Sequence, residues 1–100
     1  MKLPLSEKAK NLNDLRKRVE AVTLEIFSLC GERAKMVRKI GGIKALRGIP
    51  VENMEVEQKL KAKVLEHCKE HGLDEDFCLT LLHVLLEESK RVQREAVKMH

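Results

Sequence analysis

The chemistry-bearing residues of this 100-residue chain are cations, an acid and an amide set into apolar helical stripes. Apolar residues recur at Leu12, Leu15, Val19, Val22, Ile26 and Leu29, then at Met36, Ile40 and Ile43. The steps alternate three and four, which makes a heptad seam. The seam position between Leu29 and Met36 holds Arg33. A guanidinium keeps its proton, so on a packed face it needs water or an anion. Two readings fit. Arg33 snorkels to the edge or pairs with a glutamate, or it awaits an anionic ligand inside a helical bundle. Lys44 follows almost three turns later, ~16 Å along nearly the same side of the helix. Two long cationic side chains so placed suit the two ends of one small dianion. Arg16 precedes Arg33 by ~26 Å along the axis, too far to share that ligand within one chain. A ligand role for Arg16 therefore calls for a second site, most simply on a partner chain.

Other polar groups extend apolar lines in the same way. Glu57 heads the line Glu57, Leu60, Val64, Cys68; the plainer reading is a first-turn glutamate favoured by the helix dipole. Ser89 and Gln93 stand on the line Leu82, Leu86, Ser89, Gln93, Ala96. Being four apart they stack on one face that begins as core. They read either as polar residues at an exposed helix end or as hydrogen-bonding groups lining a cavity. His67 and His71, with Cys68 beside them, offer metal-ligand spacing without a third ligand, so no metal is assigned. His83 reads as a packed or boundary residue.

These residues need helices to position them, and no strand pattern competes. The fold class expected is all-α, with one long and two shorter helices. Residues 1–5 should be loose, and Ser6 caps a frayed start. The first helix runs from about Leu12 to about Leu46. Gly41-Gly42 late in it signals close approach of another backbone or a softened last turn. Gly48-Ile49-Pro50 breaks the chain direction. Asn53 caps the second helix, Met54 to about His71, which Gly72 closes. Asp74 caps the third, Glu75 to about Lys98. A first helix of ~35 residues is ~50 Å long, whereas a compact 100-residue globule has a radius of gyration of ~13 Å. The two shorter helices cover only part of that rod, so a second copy is expected to bury the rest of the seam. An antiparallel dimer would bring Arg16 of one chain towards the Arg33–Lys44 region of the other.

Composition sets the outer bounds. One hundred residues suggest a single domain, 1–100. No run of 18 apolar residues is present, and the first residues lack the apolar core of a signal peptide, so a cytoplasmic, membrane-free chain is expected. The net charge of +4 would allow nucleic-acid binding through Arg16-Lys17-Arg18 or Arg38-Lys39. Interspersed acids and only Phe27 and Phe77 for stacking argue against it; an electropositive pocket for a small anion fits the charge equally well. Cys30, Cys68 and Cys78 are odd in number and read as reduced, packed thiols. Charged residues reach 36%, rich in Lys and Glu, a balance that leans towards a thermophile.

The ordered set Leu15-Arg16, Glu32-Arg33, Gly41, Lys44, Gly48-Ile49-Pro50-Val51, Glu57, Gly72-Leu73-Asp74 and Glu88-Ser89-Lys90-Arg91-Val92-Gln93 resembles the all-helical chorismate mutases over about Leu12 to Glu95. The resemblance implies a three-helix protomer in an intertwined homodimer with two shared active sites. It implies conversion of chorismate to prephenate, the branch-point step towards phenylalanine and tyrosine, without a cofactor. On matching positions it implies that Arg33, and Arg16 from the partner, bind the carboxylates. Lys44 and Gln93 would donate to the ether oxygen, Glu57 would hold the ring hydroxyl with backbone near Asn53 helping, and Ser89 would support a carboxylate contact. Two positions depart. Val56 stands where the family usually has Arg, which removes a cation from the pocket edge; Arg47 is the candidate substitute. Asn53 stands where Asp is frequent, and it can still cap. The rival functions are isochorismate pyruvate-lyase activity in the same kind of pocket and a non-catalytic helical dimerisation or regulatory module. A monofunctional chain is expected.

Overall fold

The computed structural model describes the backbone of residues 5–99 and the side chains of residues 11–99. The described residues are helical and contain no strand. Helix α1 spans Leu5–Arg47, α2 Met54–Glu70 and α3 Glu75–Lys98. The expected helix order and count therefore hold. The first helix starts earlier than expected, since Leu5 is already helical; the rest of the expected loose segment, residues 1–4, lies outside the described residues.

Glycine geometry ends two of the helices. Gly48 and Gly72 have φ of 65° and 63°, a left-handed conformation that a Cβ disfavours. After α1, the Ile49 amide donates to the Lys44 carbonyl (2.9 Å) and the Gly48 amide to that of Ala45 (3.4 Å). After α2, the Leu73 amide donates to Cys68 (3.0 Å) and the Gly72 amide to Lys69 (3.2 Å). Both are Schellman closures, which satisfy carbonyls left open by the helix end. The opposite ends are capped by side chains: Asn53 Oδ1 accepts from the Val56 amide (3.1 Å) and Asp74 Oδ2 from the Phe77 amide (2.9 Å). These are the two N-caps expected from sequence.

The chain divides into two compact units at Arg33/Ala34. In the first, the seam residues Leu12, Leu15, Val19, Val22, Ile26 and Leu29 are each at least 48% exposed. Nothing in the single chain covers them. Cys30 and Arg33 are half-buried.

In the second unit, the end of α1 touches α3 at Gly41, and α2 packs on α3. The buried residues are Val37 and Gly41 of α1, Cys68 of α2, and Cys78, Leu82, Ser89, Val92, Gln93 and Ala96 of α3. The face of α1 turned inward is thus Val37, Gly41, Lys44 and Ala45. The seam residues Met36, Ile40 and Ile43 lie one position away and stay 45–59% exposed. One residue is 100° of helix rotation, so α1 carries two neighbouring faces here, one used and one left open. The expected inner lines of α2 and α3 hold: Glu57, Leu60 and Val64 are half-buried and Cys68 buried, while Ser89, Gln93 and Ala96 are buried.

Two expectations are corrected. Cys68 and Cys78 are not reduced thiols; they are joined as a disulfide, with Cα atoms 6.5 Å apart. The bond is possible because the Gly72 turn brings the last turn of α2 against the first turn of α3, a proximity no cysteine count conveys. Cys30 is free. His83 is exposed, on the solvent side of α3.

Candidate functional site

One polar group of the second unit, Gln93, lies where α1 and α3 touch. At Gly41 there is no room for a side chain: an added Cβ would sit 2.9 Å from Gln93 Cα and 3.0 Å from Ala96 Cβ. The glycine thus lets two helix backbones touch, as Gly41-Gly42 suggested. Gln93 is at this contact, 8% exposed. Its Oε1 is buried with no hydrogen-bond partner, alone in this among the described side chains. An orphaned buried amide oxygen is destabilising by about 1–3 kcal/mol, so such a group points to a missing ligand or water.

Lys44 follows Gly41 by almost one turn on the same face and is half-buried. Its Nζ donates to the Val51 carbonyl at 2.8 Å. That bond ties the end of α1 to the loop before α2 and leaves two of the three ammonium hydrogens for other acceptors. Ser89 is buried, 8% exposed, and donates back along its own helix to the Leu85 carbonyl (2.9 Å). Asn53 is exposed and its carbonyl oxygen is engaged in the α2 cap.

Glu57 is not a solvated first-turn acid. Its side chain is 19% exposed and its Oε1 lies 3.4 Å from Lys90 Nζ. The same ammonium meets Glu52 Oε1 at 3.1 Å and Glu87 Oε1 at 3.4 Å, and the Lys90 side chain is 14% exposed. The Glu52 carboxylate, bonded directly, holds the Lys90 ammonium above the ordinary lysine range; partial desolvation opposes this and Glu57 adds to it. Lys90 was not singled out from sequence. It sits 33 positions from Glu57, and only the packing of α3 on α2 connects them. Arg47, the candidate substitute cation, is an exposed residue at the end of α1, and the cation that reaches Glu57 is Lys90.

Lys44, Glu57, Ser89 and Gln93 therefore share the second unit. Arg16 and Arg33 belong to the first. Arg16 is exposed and Arg33 half-buried. Arg33 faces neither open water nor the deep core. The arrangement provides an ammonium, a buried amide and an ion-paired carboxylate on rigid helices. Such groups stabilise negative charge and orient a hydroxyl; none is a nucleophile paired with a base.

The histidine pair builds nothing further. The His67 and His71 rings lie against each other, centroids 4.5 Å apart, and the sulfur of Cys68 is taken by Cys78. Among the described residues no three potential ligands gather for a metal ion, and no helix is long and apolar enough to cross a membrane.

Comparison with known proteins decides the family. The family model described as chorismate mutase type II matches residues 15–94. The chain belongs to the chorismate mutase type II family. The match takes in all of α2, most of α1 and α3, and each candidate residue from Arg16 to Gln93. The chain is 28% identical over 86 residues to a chorismate mutase of Methanocaldococcus jannaschii, covering 86% of this chain and 87% of that protein. It is 29% identical over 76 residues to a monofunctional chorismate mutase of Enterobacter agglomerans, covering 75% of this chain and 42% of the relative. It is 26% identical over 86 residues to a bifunctional chorismate mutase/prephenate dehydratase of Escherichia coli, covering 86% of this chain and 22% of the relative. The similarity to chorismate mutases thus extends over most of this chain, but over only about a fifth of the bifunctional protein.

Proposed function

We propose that this chain, as a single domain, converts chorismate to prephenate in a site completed by a second copy. The observation that carries the reading is the buried Gln93 amide with its unpartnered oxygen, beside the Gly41 contact and one helical turn from Lys44. The rearrangement is intramolecular. A carbon–oxygen bond breaks as a carbon–carbon bond forms, and no proton or electron leaves the substrate. The protein has two tasks. It holds the flexible dianion in a compact conformer with the reacting carbons close. It also presents fixed donors to the ether oxygen as negative charge grows there.

Lys44 and the Gln93 amide nitrogen are those donors; a half-turn of the amide exchanges its oxygen and nitrogen without moving the backbone. Arg33, and Arg16 of the second copy, bind the two carboxylates. Ser89 supports a carboxylate contact. Glu57 accepts from the ring hydroxyl, with the backbone at Asn53 beside it. The exposed seam supports the homodimer: nine apolar residues from Leu12 to Ile43 are each at least 45% exposed, a stripe interrupted at Arg33 that a monomer leaves in water. The proposal places the enzyme in the cytoplasm. A Cys68–Cys78 bond is compatible with that compartment in hyperthermophiles, and the Lys- and Glu-rich composition agrees.

The test is to incubate purified protein with chorismate and follow loss of its absorbance, with prephenate measured as product. Isochorismate is assayed in parallel for free pyruvate. Prephenate from chorismate supports the proposal. Pyruvate from isochorismate with no prephenate from chorismate replaces it with a lyase, and inertness towards both leaves a non-catalytic dimerisation module.

A further inference from the structure

The first turn of α2 carries two acids, Glu55 and Glu57, and no base. Glu57 is nevertheless half-buried, its side chain 19% exposed. A carboxylate so placed calls for a cation or hydrogen-bond donors as partners. The cation comes from another helix. Lys90 of α3 sets its ammonium among Glu57, Glu52 and Glu87.

We propose that Lys90 is a positioning residue for substrate recognition: by clamping the Glu57 carboxylate it fixes the acceptor for the substrate hydroxyl and offsets negative charge at the pocket edge. The inference rests on the functional reading above and extends it to a residue with no role there. Three carboxylates around one ammonium leave the cluster net negative even when it is intact. Without the ammonium, Glu57 and Glu52 lose the cation they share, and a dianionic substrate meets more negative charge at the start of α2. An exposed ion pair contributes little, but here the lysine side chain is 14% exposed and the Glu57 side chain 19%. The bond also crosses between elements, holding α2, its preceding loop and α3 in one register. Ser89 is the adjacent residue of α3 and Gln93 lies almost one turn on, so Lys90 belongs to the same stretch of helix as two of the candidate residues.

The effect should fall on binding. Lys90→Met keeps the apolar stem and removes the charge. Its KM for chorismate should rise about tenfold, with kcat within about threefold of wild type. Lys90→Gln, a second charge removal, should behave alike, and Lys90→Arg should restore KM to within about threefold. In a Glu57→Gln background, Lys90→Met should lower kcat/KM by less than about twofold, because the group it acts through has been neutralised. Helical CD and unfolding midpoint are recorded for every variant; folded variants with the KM rise support the proposal. A wild-type KM in Lys90→Met or Lys90→Gln, failure of Lys90→Arg to restore it, or an equal loss in both Glu57 backgrounds overturns it. Failure of the functional reading is seen separately, as absence of turnover in the wild-type protein before any variant is compared.

Discussion

Gly41→Ala tests the helix contact on which the candidate site rests. The new Cβ would stand 2.9 Å from Gln93 Cα, 3.0 Å from Ala96 Cβ and 3.1 Å from the Gln93 carbonyl oxygen. Ordinary contact begins at 3.4 Å, so α1 and α3 must part by about half an ångström in a close-packed interior. Two of the three neighbours are backbone atoms, and no rotamer change relieves them. Overpacking of this kind costs about 1–3 kcal/mol, while alanine regains about 1 kcal/mol of helix propensity. Gly31→Ala is the matched control. It lies on the same helix, is exposed, and has nothing within 4 Å of the added carbon, so it keeps the propensity gain alone. Denaturant unfolding should place Gly41→Ala about 1–3 kcal/mol below Gly31→Ala. Because the clash is with the backbone of Gln93 itself, kcat/KM for chorismate should also fall about tenfold in Gly41→Ala, and stay within about twofold of wild type in Gly31→Ala. Equal stabilities with unchanged turnover in both would refute the close contact and the placement of Gln93 beside it.

Two further outcomes follow from named groups. Gln93→Glu replaces a donor that does not titrate by a carboxyl that donates only when protonated. Its activity should be present below the variant carboxyl's pKa and be lost as pH rises through it, against a wild-type profile without that limb; a flat profile in the variant removes Gln93 from the ether-oxygen role. The Cys68–Cys78 bond closes a loop with a sequence separation of 10, for which chain entropy gives about 2–3 kcal/mol. Reduction with dithiothreitol, or Cys78→Ser, should lower the unfolding free energy by about that amount, and an unchanged midpoint after reduction would show that the bond is absent in solution.

Much of the helical scaffold was legible because its signals are local. Asn53 and Asp74 cap the helices they were expected to cap, and Gly72 closes α2 through the left-handed geometry its type allows. Ser89 and Gln93 proved to lie on a buried line because a four-residue step keeps two groups on one face. The misses are all non-local. Periodicity marks Met36, Ile40 and Ile43 as apolar, but cannot tell which of two adjacent faces of α1 meets its own chain; Val37 and Gly41 do. The disulfide depends on how the Gly72 turn folds α3 back on α2. The Lys90–Glu57 pair joins residues of two helices that no spacing rule relates. The helical start at Leu5 was obscured by Pro4 and by the weak apolar pattern before Leu12.

A site built from two copies is tested most directly by mixing two crippled variants. Arg16→Ala and Arg33→Ala should each retain the helical CD signal and turn over chorismate at no more than about 1% of the wild-type rate. Unfolded together in equal amounts and refolded, half of the dimers should be mixed. Each mixed dimer carries one site lacking both arginines and one site with both intact. Recovery of about a quarter of wild-type activity is expected. Absence of recovery in a mixture that refolds to dimers, or full activity of either variant by itself, would contradict a dianion gripped by Arg33 of one chain and Arg16 of the other.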